Sequence, residues 1–420
     1  MHILHLADLY RPSVGGLENH IAAVSRAFLE LGHRVSLITV GTPALPETED
    51  VDGVAVHRVR GWSSALTRLH DDAARPFPPT VPDPALTRAM RQIIARERPD
   101  VLHSHGWIRY SYAPLHRRAT GPAHIAVLHD YGLSCAKRTY QYKDEQYCDG
   151  PGPVKCVPCC AEHYGRLKGP ALALGLRASS PLNRCADAYV ATGSSVAAAA
   201  AAALPARTRV TVIPAAVADD LDLPAEERAA APRPDFLPPD GDFLLYAGAL
   251  GRHKGIDVLL DAHGRMRHRV PLVVLGASTG EGENFDFRAP GVHLVGPQPP
   301  ARVLAAWRHC AVAVVPSVWQ EPFGLVAVEA MLAERPVVAS AVGGLRDIVE
   351  HGATGLLVPP GDPAALSAAL DCLLDDPARR HRMGAAGRRR ARAYRARAVA
   401  PRLIELSEHV LEHRRTPAGR

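Results

Sequence analysis

Short apolar runs that alternate with glycine-containing loops and helical repeats constrain the fold of this chain most. Residues 3–7 form an apolar run, a loop with Gly15 and Gly16 follows, and apolar residues then recur at helical spacing up to Gly32. The next apolar run, residues 34–40, completes a strand–helix–strand unit. Strands joined through a helix run parallel, because the helix returns the chain to the same end of the sheet. The pattern predicts an α/β fold with doubly wound parallel sheets.

Two domains are predicted from the length of the chain and from a change in its composition. At 420 residues the chain is too long for one ordinary core and suits two α/β domains of about 150 to 200 residues each. The segment 217–241 is rich in proline and acidic residues, which is typical of a linker. We therefore assign residues 1–218 to a first domain, 219–241 to a linker and 242–394 to a second domain. Further apolar runs predict strands at 100–104, 123–128, 188–191, 210–213, 243–247, 272–276, 292–296, 311–316 and 336–340.

Composition and charge exclude several classes of protein. Apolar residues make up 47% of the chain, which excludes general disorder. The formal charge of +6 is dispersed, so it weakly favours anionic ligands such as nucleotide phosphates and does not indicate nucleic acid. No run approaches the about 20 uncharged apolar residues of a membrane span, and residues 1–8 lack the pattern of a signal peptide.

We therefore expect a cytoplasmic protein. Membrane contact through the basic helix predicted at 85–96 stays open, but a helix that covers the sheet and exposes a solvated face is favoured. The sequence does not indicate an oligomeric state.

Two carboxylates eight positions apart, Glu321 and Glu329, frame a Pro-Phe-Gly turn that is predicted to open a helix. A helix that begins after a strand directs free backbone N–H groups at anything negative beyond the strand's carboxyl end. The amides of Phe323, Gly324 and Leu325 are therefore predicted to bind a phosphate. The carboxylates are suited to accept hydrogen bonds from sugar hydroxyls. For an isolated pair, a solvated loop residue and an ordinary helix residue would be the alternative.

The surroundings of this pair carry a resemblance to a known family. After the E-x7-E block come a predicted strand at 336–340, Gly343-Gly344, the segment 352–358 and Pro360-Gly361-Asp362, in that order. This series resembles the donor-binding half of the retaining glycosyltransferases of family 4, the group 1 glycosyl transferases, which have the GT-B fold. The resemblance implies two doubly wound Rossmann-like domains that face a deep interdomain cleft. It also implies that the first domain binds the acceptor, and that a C-terminal helix within 395–420 crosses back to it.

The resemblance also implies a set of residues for the donor, a nucleotide-diphosphate sugar. Lys254 and Arg252 would meet the diphosphate, Glu329 the ribose, Glu321 the hydroxyls of the transferred sugar, and His129 its reacting face. Further backbone contacts are expected at Gly15, Gly16, Gly248, Gly296, Pro297, Phe323, Gly324 and Leu325. The turn at Gly296-Pro297 corresponds to the loop that reads the nucleobase, with uracil favoured over guanine.

The chain departs from the family pattern at Ala249, where relatives have an arginine directly after the first glycine of the loop. Arg252 would compensate from the other end of the same loop.

Asp130 is expected either to orient the ring of His129 or to meet an acceptor hydroxyl. No catalytic metal is expected, because cations and helix amides would stabilise the leaving diphosphate.

Cysteines give a separate signal, since five of the eight lie between positions 135 and 160. Clustered thiols in a cytoplasmic protein indicate a metal more often than disulfides. Cys156 and Cys159 have zinc-knuckle spacing, and Cys135 and Cys148 would complete a tetrahedral structural zinc site, with free thiols or a disulfide as alternatives. The insert at about 131–165 that contains them is a candidate wall of the acceptor site.

The function that follows is a retaining glycosyltransferase that moves a sugar from a nucleotide-diphosphate sugar to an acceptor hydroxyl. A UDP-sugar is favoured over a GDP-sugar, and the acceptor is a small molecule of secondary metabolism or glycoconjugate biosynthesis. Three alternatives stay open. The first is a sugar-nucleotide epimerase or phosphorylase of the same fold, and the second is a noncatalytic nucleotide-sugar binder that arose through the change at Ala249. The third and least favoured is a zinc-containing nucleic-acid binder, because the basic residues are dispersed and the α/β repeats already account for the fold.

Overall fold

The chain folds into two compact units, as a computed structural model shows for residues 1–13, 15–42, 44–62, 78–143, 146–224, 226–227, 232–277 and 285–415. The first unit consists of Met1–Ala218 together with the C-terminal segment that begins at Ala396. The second unit is Asp219–Arg395. Each unit contains one large sheet built mainly from parallel strands, so the predicted α/β class with two Rossmann-like sheets is confirmed.

The first unit contains an eight-stranded sheet in the order β10-β9-β6-β5-β1-β2-β4-β3. Its strands are β1 (His2–Ala7), β2 (Arg34–Val40), β3 (Thr48–Val51), β4 (Val54–Val59), β5 (Val101–His105), β6 (Ala123–Leu128), β9 (Ala188–Ala191) and β10 (Val210–Val212), and a separate hairpin pairs β7 (Gln141–Tyr142) with β8 (Gln146–Tyr147). All neighbours in the large sheet are parallel except β3, which pairs antiparallel with β4. The sequence pattern predicted neither β3 nor β4. The residues of β3 are mostly polar and it lies at the edge of the sheet, and His57 and Arg58 interrupt the apolar run of β4.

The helices of the first unit cover both faces of this sheet. They are α1 (Gly16–Glu30), α2 (Pro84–Glu97), α3 (Ile108–Tyr112), α4 (Pro153–Tyr164), α5 (Lys168–Ser179) and α6 (Ser194–Ala203), with the C-terminal helix Ala396–Arg415. One core cluster joins Ile21 and Phe28 of α1 with Val399 and Leu403 of the C-terminal helix. Each such large apolar side chain contributes roughly 2 kcal/mol when it is fully buried, so the C-terminal helix is an integral part of the first unit.

The second unit contains a six-stranded sheet in the order β13-β12-β11-β14-β15-β16, and all of its strands are parallel. The strands are β11 (Leu244–Ala247), β12 (Leu272–Leu275), β13 (Val292–Gly296), β14 (Val312–Val315), β15 (Val337–Ser340) and β16 (Gly355–Val358). The helices are α7 (Ile256–Arg265), α8 (Pro300–Trp307), α9 (Leu325–Leu332), α10 (Leu345–Ile348), α11 (Pro363–Asp375) and α12 (Pro377–Ala391). Asp222, in the segment that we expect to be a linker, accepts hydrogen bonds from Arg388, Arg392 and Arg395 of this unit.

The strand order creates one switch point in each sheet. In the second unit the chain builds outward from β11 through β12 and β13 and then returns to β14 on the other side. In the first unit the same reversal lies between β1 and β5. Loops that leave neighbouring strands in opposite directions open a crevice at the carboxyl ends, where open α/β sheets bind their ligands. The residues after β11 and β14, and those after β1, β5 and β6, are therefore the places to look for a site.

Candidate active site

The switch point of the second unit is formed by the loops after β11 and β14, which pack closely against each other. The amides of Val318 and Trp319 donate to the carbonyl of His253 at 3.0 and 3.3 Å. Only glycine fits at position 255, because it has a φ of +72° and a Cβ there would lie 1.9 Å from the carbonyl oxygen of Pro316. The two loops are thus held in one arrangement by backbone contacts.

Glu321 is the centre of this crevice. Its two carboxylate oxygens accept from Lys254 Nζ at 3.0 and 2.8 Å, and Oε2 also accepts from Ser317 Oγ at 3.0 Å and Trp319 Nε1 at 2.9 Å. Burial would raise the pKa of Glu321, but the ammonium of Lys254 and these hydrogen bonds outweigh it and hold the pKa below its ordinary value. The group is therefore an ionised and fully oriented carboxylate.

Lys254, the other member of this ion pair, is also held in place. Its ammonium lies 4.8 Å from the centre of the Trp319 ring, and 23% of its side chain is exposed. The sequence predicts that Lys254 faces the diphosphate and that Glu321 faces the sugar, and the structure brings the two into contact with each other. A ligand phosphate that reaches Lys254 would therefore share it with Glu321.

The two ends of the loop after β11 carry different residues, an exposed arginine at position 252 and an alanine at position 249. Arg252 is exposed, and its guanidinium forms no hydrogen bond or ion pair with any residue in the described part of the chain. Ala249 stands where the resembled family has an arginine, and its carbonyl accepts from the hydroxyl of Tyr246 at 2.6 Å. Burial and the nearby charge of Glu321 raise the pKa of Tyr246, so this hydroxyl stays a donor.

The turn between Glu321 and α9 is shaped by a second loop. The amide of Gly344 donates to the carbonyl of Glu321 at 2.8 Å. Gly343 has a φ of +46°, and a Cβ there would lie 2.1 Å from the same carbonyl oxygen. The helix begins at Leu325 with Gly324 as its N-cap and has no side-chain cap. The first amides of α9 therefore remain available for an anion, as the sequence predicts for the turn Phe323-Gly324-Leu325.

Glu329 lies on α9 one turn beyond these amides. Burial raises its pKa to about 7, and the indole of Trp307 offsets only part of this rise. At neutral pH the carboxyl group is therefore divided between its protonated and ionised forms. Either form can bond with ribose hydroxyls, because a carboxylate accepts and a carboxylic acid both accepts and donates.

The remaining residues predicted for the second unit lie at the carboxyl ends of neighbouring strands. Gly248 follows β11, and its amide donates to Leu275 of β12 at 2.9 Å. The carbonyl of Gly296 accepts from the amide of Gly276 at 3.1 Å. Pro297 follows and is exposed. The structure thus places these loops along one edge of the sheet.

The first unit places Gly15, Gly16 and His129 at its own strand ends. Gly15 is the N-cap of α1 and Gly16 its first residue, again without a side-chain cap. His129 follows β6, and its Nε2 lies 2.8 Å from Nδ1 of His105. Asp130 does not orient this ring, which corrects that expectation. It accepts from the amide of Gly132 at 2.7 Å and faces Arg138 at 3.7 Å instead.

Sequence reasoning missed several polar groups around these sites. Ser317 and Trp319 resemble ordinary loop residues, although both bind Glu321. His5 and His20 lie inside apolar patterns of β1 and α1, where a histidine resembles a core residue. A signal was present in the sequence, since polar residues at buried positions of a strand or helix need partners.

The predicted zinc site is not supported. Five cysteines, Cys135, Cys148, Cys156, Cys159 and Cys160, line a cavity of about 20 Å³. Among the residues that the structure describes, however, no three of their sulfurs lie within 4.8 Å of one another. Burial also raises the pKa of Cys135 to about 11 and that of Cys160 to about 12, which favours neutral thiols over the thiolates that zinc binds.

Comparisons with known proteins agree with this arrangement. Residues 14–221 match the model of Glycosyltransferase Family 4, and residues 228–390 match that of the Glycosyl transferases group 1. A relative from Pseudarthrobacter chlorophenolicus, named D-inositol 3-phosphate glycosyltransferase, is 31% identical over 415 residues, which is 92% of this chain and 89% of the relative. In the described part of the chain, no helix combines the length and apolar character needed to cross a bilayer.

Solved structures show the same fold. Sucrose-phosphate synthase from Thermosynechococcus elongatus superimposes with a TM-score of 0.75 at 22% identity, over 98% of this chain and all of the other. The Anabaena protein HepE, solved in complex with UDP-glucose, superimposes with a TM-score of 0.67 at 18% identity, over 97% of this chain and all of HepE. The chain therefore belongs to the group 1 glycosyltransferases of family 4 and is a glycosyltransferase of the GT-B fold that uses nucleotide sugars.

Proposed function

We propose that this enzyme transfers a sugar from a UDP-sugar to a hydroxyl of a small acceptor, with retention of the anomeric configuration. The observation that carries the proposal is the pair of Lys254 and Glu321 at the switch point of the second unit, beside the uncapped start of α9. A fixed cation and free helix amides suit the negatively charged diphosphate of a nucleotide sugar, and a fixed carboxylate suits the neutral hydroxyls of its sugar.

In the proposed mechanism the bond between the anomeric carbon and the phosphate oxygen breaks as the acceptor oxygen bonds to the same carbon. Lys254, Arg252 and the amides of Phe323, Gly324 and Leu325 stabilise the negative charge that develops on the diphosphate. The acceptor approaches on the face from which the phosphate departs. Its hydroxyl proton passes to the departing phosphate oxygen, so no separate base is needed.

The carboxylates and His129 position the donor in this mechanism. Glu321 accepts hydrogen bonds from the hydroxyls of the transferred sugar, since its charge is maintained at neutral pH. Glu329 binds the ribose, and His129 contacts the sugar on its reacting face. The backbone of Gly248, Gly296 and Pro297 lines the nucleotide, and that of Gly15 and Gly16 lies near the phosphate or the sugar. No catalytic metal is part of this mechanism.

The identity of both substrates is proposed from the comparisons. HepE was solved with UDP-glucose, which favours uracil over guanine for a protein with the same fold. The P. chlorophenolicus relative is named for D-inositol 3-phosphate, which favours a cyclitol or another small polyol as the acceptor. A secondary metabolite is the second class of acceptor to screen.

The test begins with calorimetric binding of UDP, GDP and ADP to the wild type and to Lys254→Ala and Glu329→Ala. We expect UDP to bind the wild type and to bind both variants at least about tenfold more weakly, because each loses a charged or hydrogen-bonding contact. Turnover with a UDP-sugar and a polyol, followed by proton NMR of the anomeric coupling, then gives the stereochemistry. An inverted product, or no nucleotide binding by folded wild type, would refute the proposal.

A noncatalytic nucleotide-sugar binder is the second candidate, and one observation favours it. The carbonyl of Ala249 is engaged by Tyr246, and no arginine is present at that end of the loop. Such a protein would bind UDP-sugar as tightly as UDP but release no UDP from it in any acceptor screen. A coupled assay for free UDP distinguishes the two candidates.

A further inference from the structure

A second cluster of polar side chains lies at the switch point of the first unit and consists of four histidines. His5 comes from β1, His20 from α1, His105 from the end of β5, and His129 follows β6. His5 Nδ1 lies 3.0 Å from His105 Nε2, and His105 Nδ1 lies 2.8 Å from His129 Nε2. The ring of His20 is 4.8 Å from that of His129 between centres. Four imidazoles thus meet where the fold places ligands.

The hydrogen bonds of His20 determine which of its nitrogens carries the proton. The backbone N–H of Ala216 donates to its Nδ1 at 2.8 Å, so Nδ1 must be the unprotonated nitrogen. Burial lowers the pKa of His20 to about 3, which keeps the ring neutral. Its single hydrogen therefore lies on Nε2. This Nε2 is buried and has no partner among the described residues.

This assignment argues against a metal at the cluster. Ring nitrogens of His20, His105 and His129 lie within 4.8 Å of one another, which is close enough for three ligands of one ion. A metal binds the lone pair of an imidazole nitrogen, but Nε2 of His20 carries a hydrogen while Nδ1 is occupied by the Ala216 amide. The bond between His105 and His129 occupies two further nitrogens. The cluster is instead arranged to donate a hydrogen bond.

His5, His105 and His129 are joined by a series of hydrogen bonds, and the buried end of this series, His5, determines which ring donates in each bond. Burial lowers the pKa of all three well below the ordinary value, so each ring is neutral and has one N–H. His5 Nε2 is buried without a partner. Orphaned buried N–H groups are rarer than orphaned acceptors, so His5 carries its hydrogen on Nδ1. His105 then donates from Nδ1 to His129, and His129 carries its hydrogen on Nδ1.

We propose that His20 is a substrate-binding residue. Its Nε2–H and the Nδ1–H of His129 donate hydrogen bonds to hydroxyl oxygens of one bound sugar or polyol. His105 is a positioning residue for His129. The ligand class is a neutral hydroxyl-bearing molecule, because both donors are uncharged rings. The inference rests on the proposed transferase function and deepens it, since it adds a contact in the first unit. In this unit His5 and His105 hold His129 as a donor, and α1 supplies the second donor.

Two substitutions of His20 separate its two hydrogen bonds. His20→Asn can keep the bond to the Ala216 amide through its side-chain oxygen but lacks a donor at the place of Nε2. His20→Gln can place an N–H where Nε2 was but loses the acceptor for Ala216. We expect His20→Asn to lower kcat/KM about 100-fold, and His20→Gln to lower it by less than about tenfold. Equal losses in both variants, or no loss in His20→Asn, would overturn the proposal.

The role of His105 has its own matched pair. His105→Asn can still donate to His129 Nε2 from its amide nitrogen, whereas His105→Leu cannot. We expect His105→Leu to lower kcat by about tenfold or more and His105→Asn to restore most of that loss. A merely structural role would make both variants lose stability and activity together, which thermal unfolding of the same samples would show.

The tautomers can be read directly in the full chain labelled with ¹⁵N in the histidine rings. Long-range ¹H–¹⁵N correlation spectra should show His20 as the Nε2–H form and His129 as the Nδ1–H form, with the two signals assigned by their loss in His20→Asn and in His129→Asn. His129 should convert partly to the Nε2–H form in His105→Leu. The opposite tautomer at either ring in the wild type would overturn the proposal, as would activation or a change in these signals by Zn²⁺ alone.

Binding of UDP serves as the control that separates this inference from the proposed function. The contacts proposed for UDP lie mainly in the second unit, so all four variants should bind UDP within about threefold of the wild type. If the wild type binds no UDP and has no turnover, the proposed function fails. If turnover is normal in His20→Asn, only the present inference fails.

Discussion

The two units have the same kind of crevice at their sheet switch points, but the polar groups in the two crevices are stabilised differently. In the second unit a carboxylate is kept charged by a lysine and two neutral donors. In the first unit four imidazoles, three of them buried and His129 partly buried, are kept neutral, and His20 retains an N–H without a partner among the described residues. A charged pair suits a diphosphate, whose charge changes during the reaction, whereas neutral donors suit hydroxyls, whose charge does not. The same topology therefore supports two kinds of recognition.

The largest effect is expected from breaking the charged pair. Lys254→Met leaves Glu321 as a poorly compensated carboxylate, of which only 12% of the side chain is exposed. We expect kcat/KM to fall about 1,000-fold and the free energy of unfolding to fall by about 2 kcal/mol. Enzyme assays and urea denaturation measure the two effects. The double variant Lys254→Met/Glu321→Gln should recover the stability but not the activity, and recovery of both would show that the charges have no role in catalysis.

Glu329 provides a test of whether burial, rather than an ion pair, controls the pKa of a carboxyl group in the same crevice. Its pKa is about 7 in the folded protein against an ordinary value of 4.5, so the carboxyl group ionises at a lower pH in the unfolded chain than in the folded protein. Stability is therefore complete below about pH 4.5 and falls as pH rises to about 7, by up to about 3 kcal/mol. Glu329→Gln should be more stable than the wild type at pH 8, with a smaller difference at pH 5. Urea denaturation at both pH values measures this.

The same group should make nucleotide binding depend on pH. Hydroxyl donors from ribose favour the ionised carboxylate, so binding lowers its pKa and releases a proton. We expect the affinity for UDP to rise between pH 6 and pH 8 in the wild type by up to about tenfold. Calorimetry of Glu329→Gln over the same range is the control for the titration of UDP itself. An equal pH dependence in both proteins would mean that Glu329 does not contact the nucleotide.

A smaller effect is expected from Arg252, the cation of the crevice that pairs with nothing in the described residues. Because it is exposed, Arg252→Ala should change the free energy of unfolding by less than about 0.5 kcal/mol. If it compensates for Ala249, kcat/KM should still fall about tenfold. Steady-state kinetics beside thermal unfolding separates the two quantities. Unchanged kinetics would leave Lys254 and the α9 amides as the whole diphosphate site.

The smallest effect concerns the cysteine insert of the first unit. Since the described sulfurs do not form a metal cluster, a strong chelator should leave the melting temperature within about 1 °C. Cys135 and Cys160, whose thiol pKa values are raised by burial to about 11 and about 12, should react with iodoacetamide at pH 8 only after unfolding. Mass spectrometry of the alkylated peptides measures this. A loss of stability on chelation would restore the zinc hypothesis.

The sequence predicted the sheets better than the contacts of the site. Apolar runs such as 123–128 and 272–276 identified β6 and β12 closely, because a strand buried on both faces needs a nearly continuous apolar stretch. The edge strand β3 has no such requirement, and His57 and Arg58 interrupt the apolar run of β4, so neither strand was predicted. Zinc was predicted from spacing along the chain, but spacing does not determine how far apart sulfurs lie after the insert folds.

By itself the sequence determined the α/β class, the two sheets, the family and the residues of the E-x7-E block, since apolar periodicity and local motifs are properties of short segments. Only the tertiary structure decided that Lys254 pairs with Glu321, that Asp130 faces Arg138 rather than His129, and that the histidines of four separate segments meet. The bond between His5 and His105 joins residues 100 positions apart, and such bonds depend on distances that only the assembled sheet fixes.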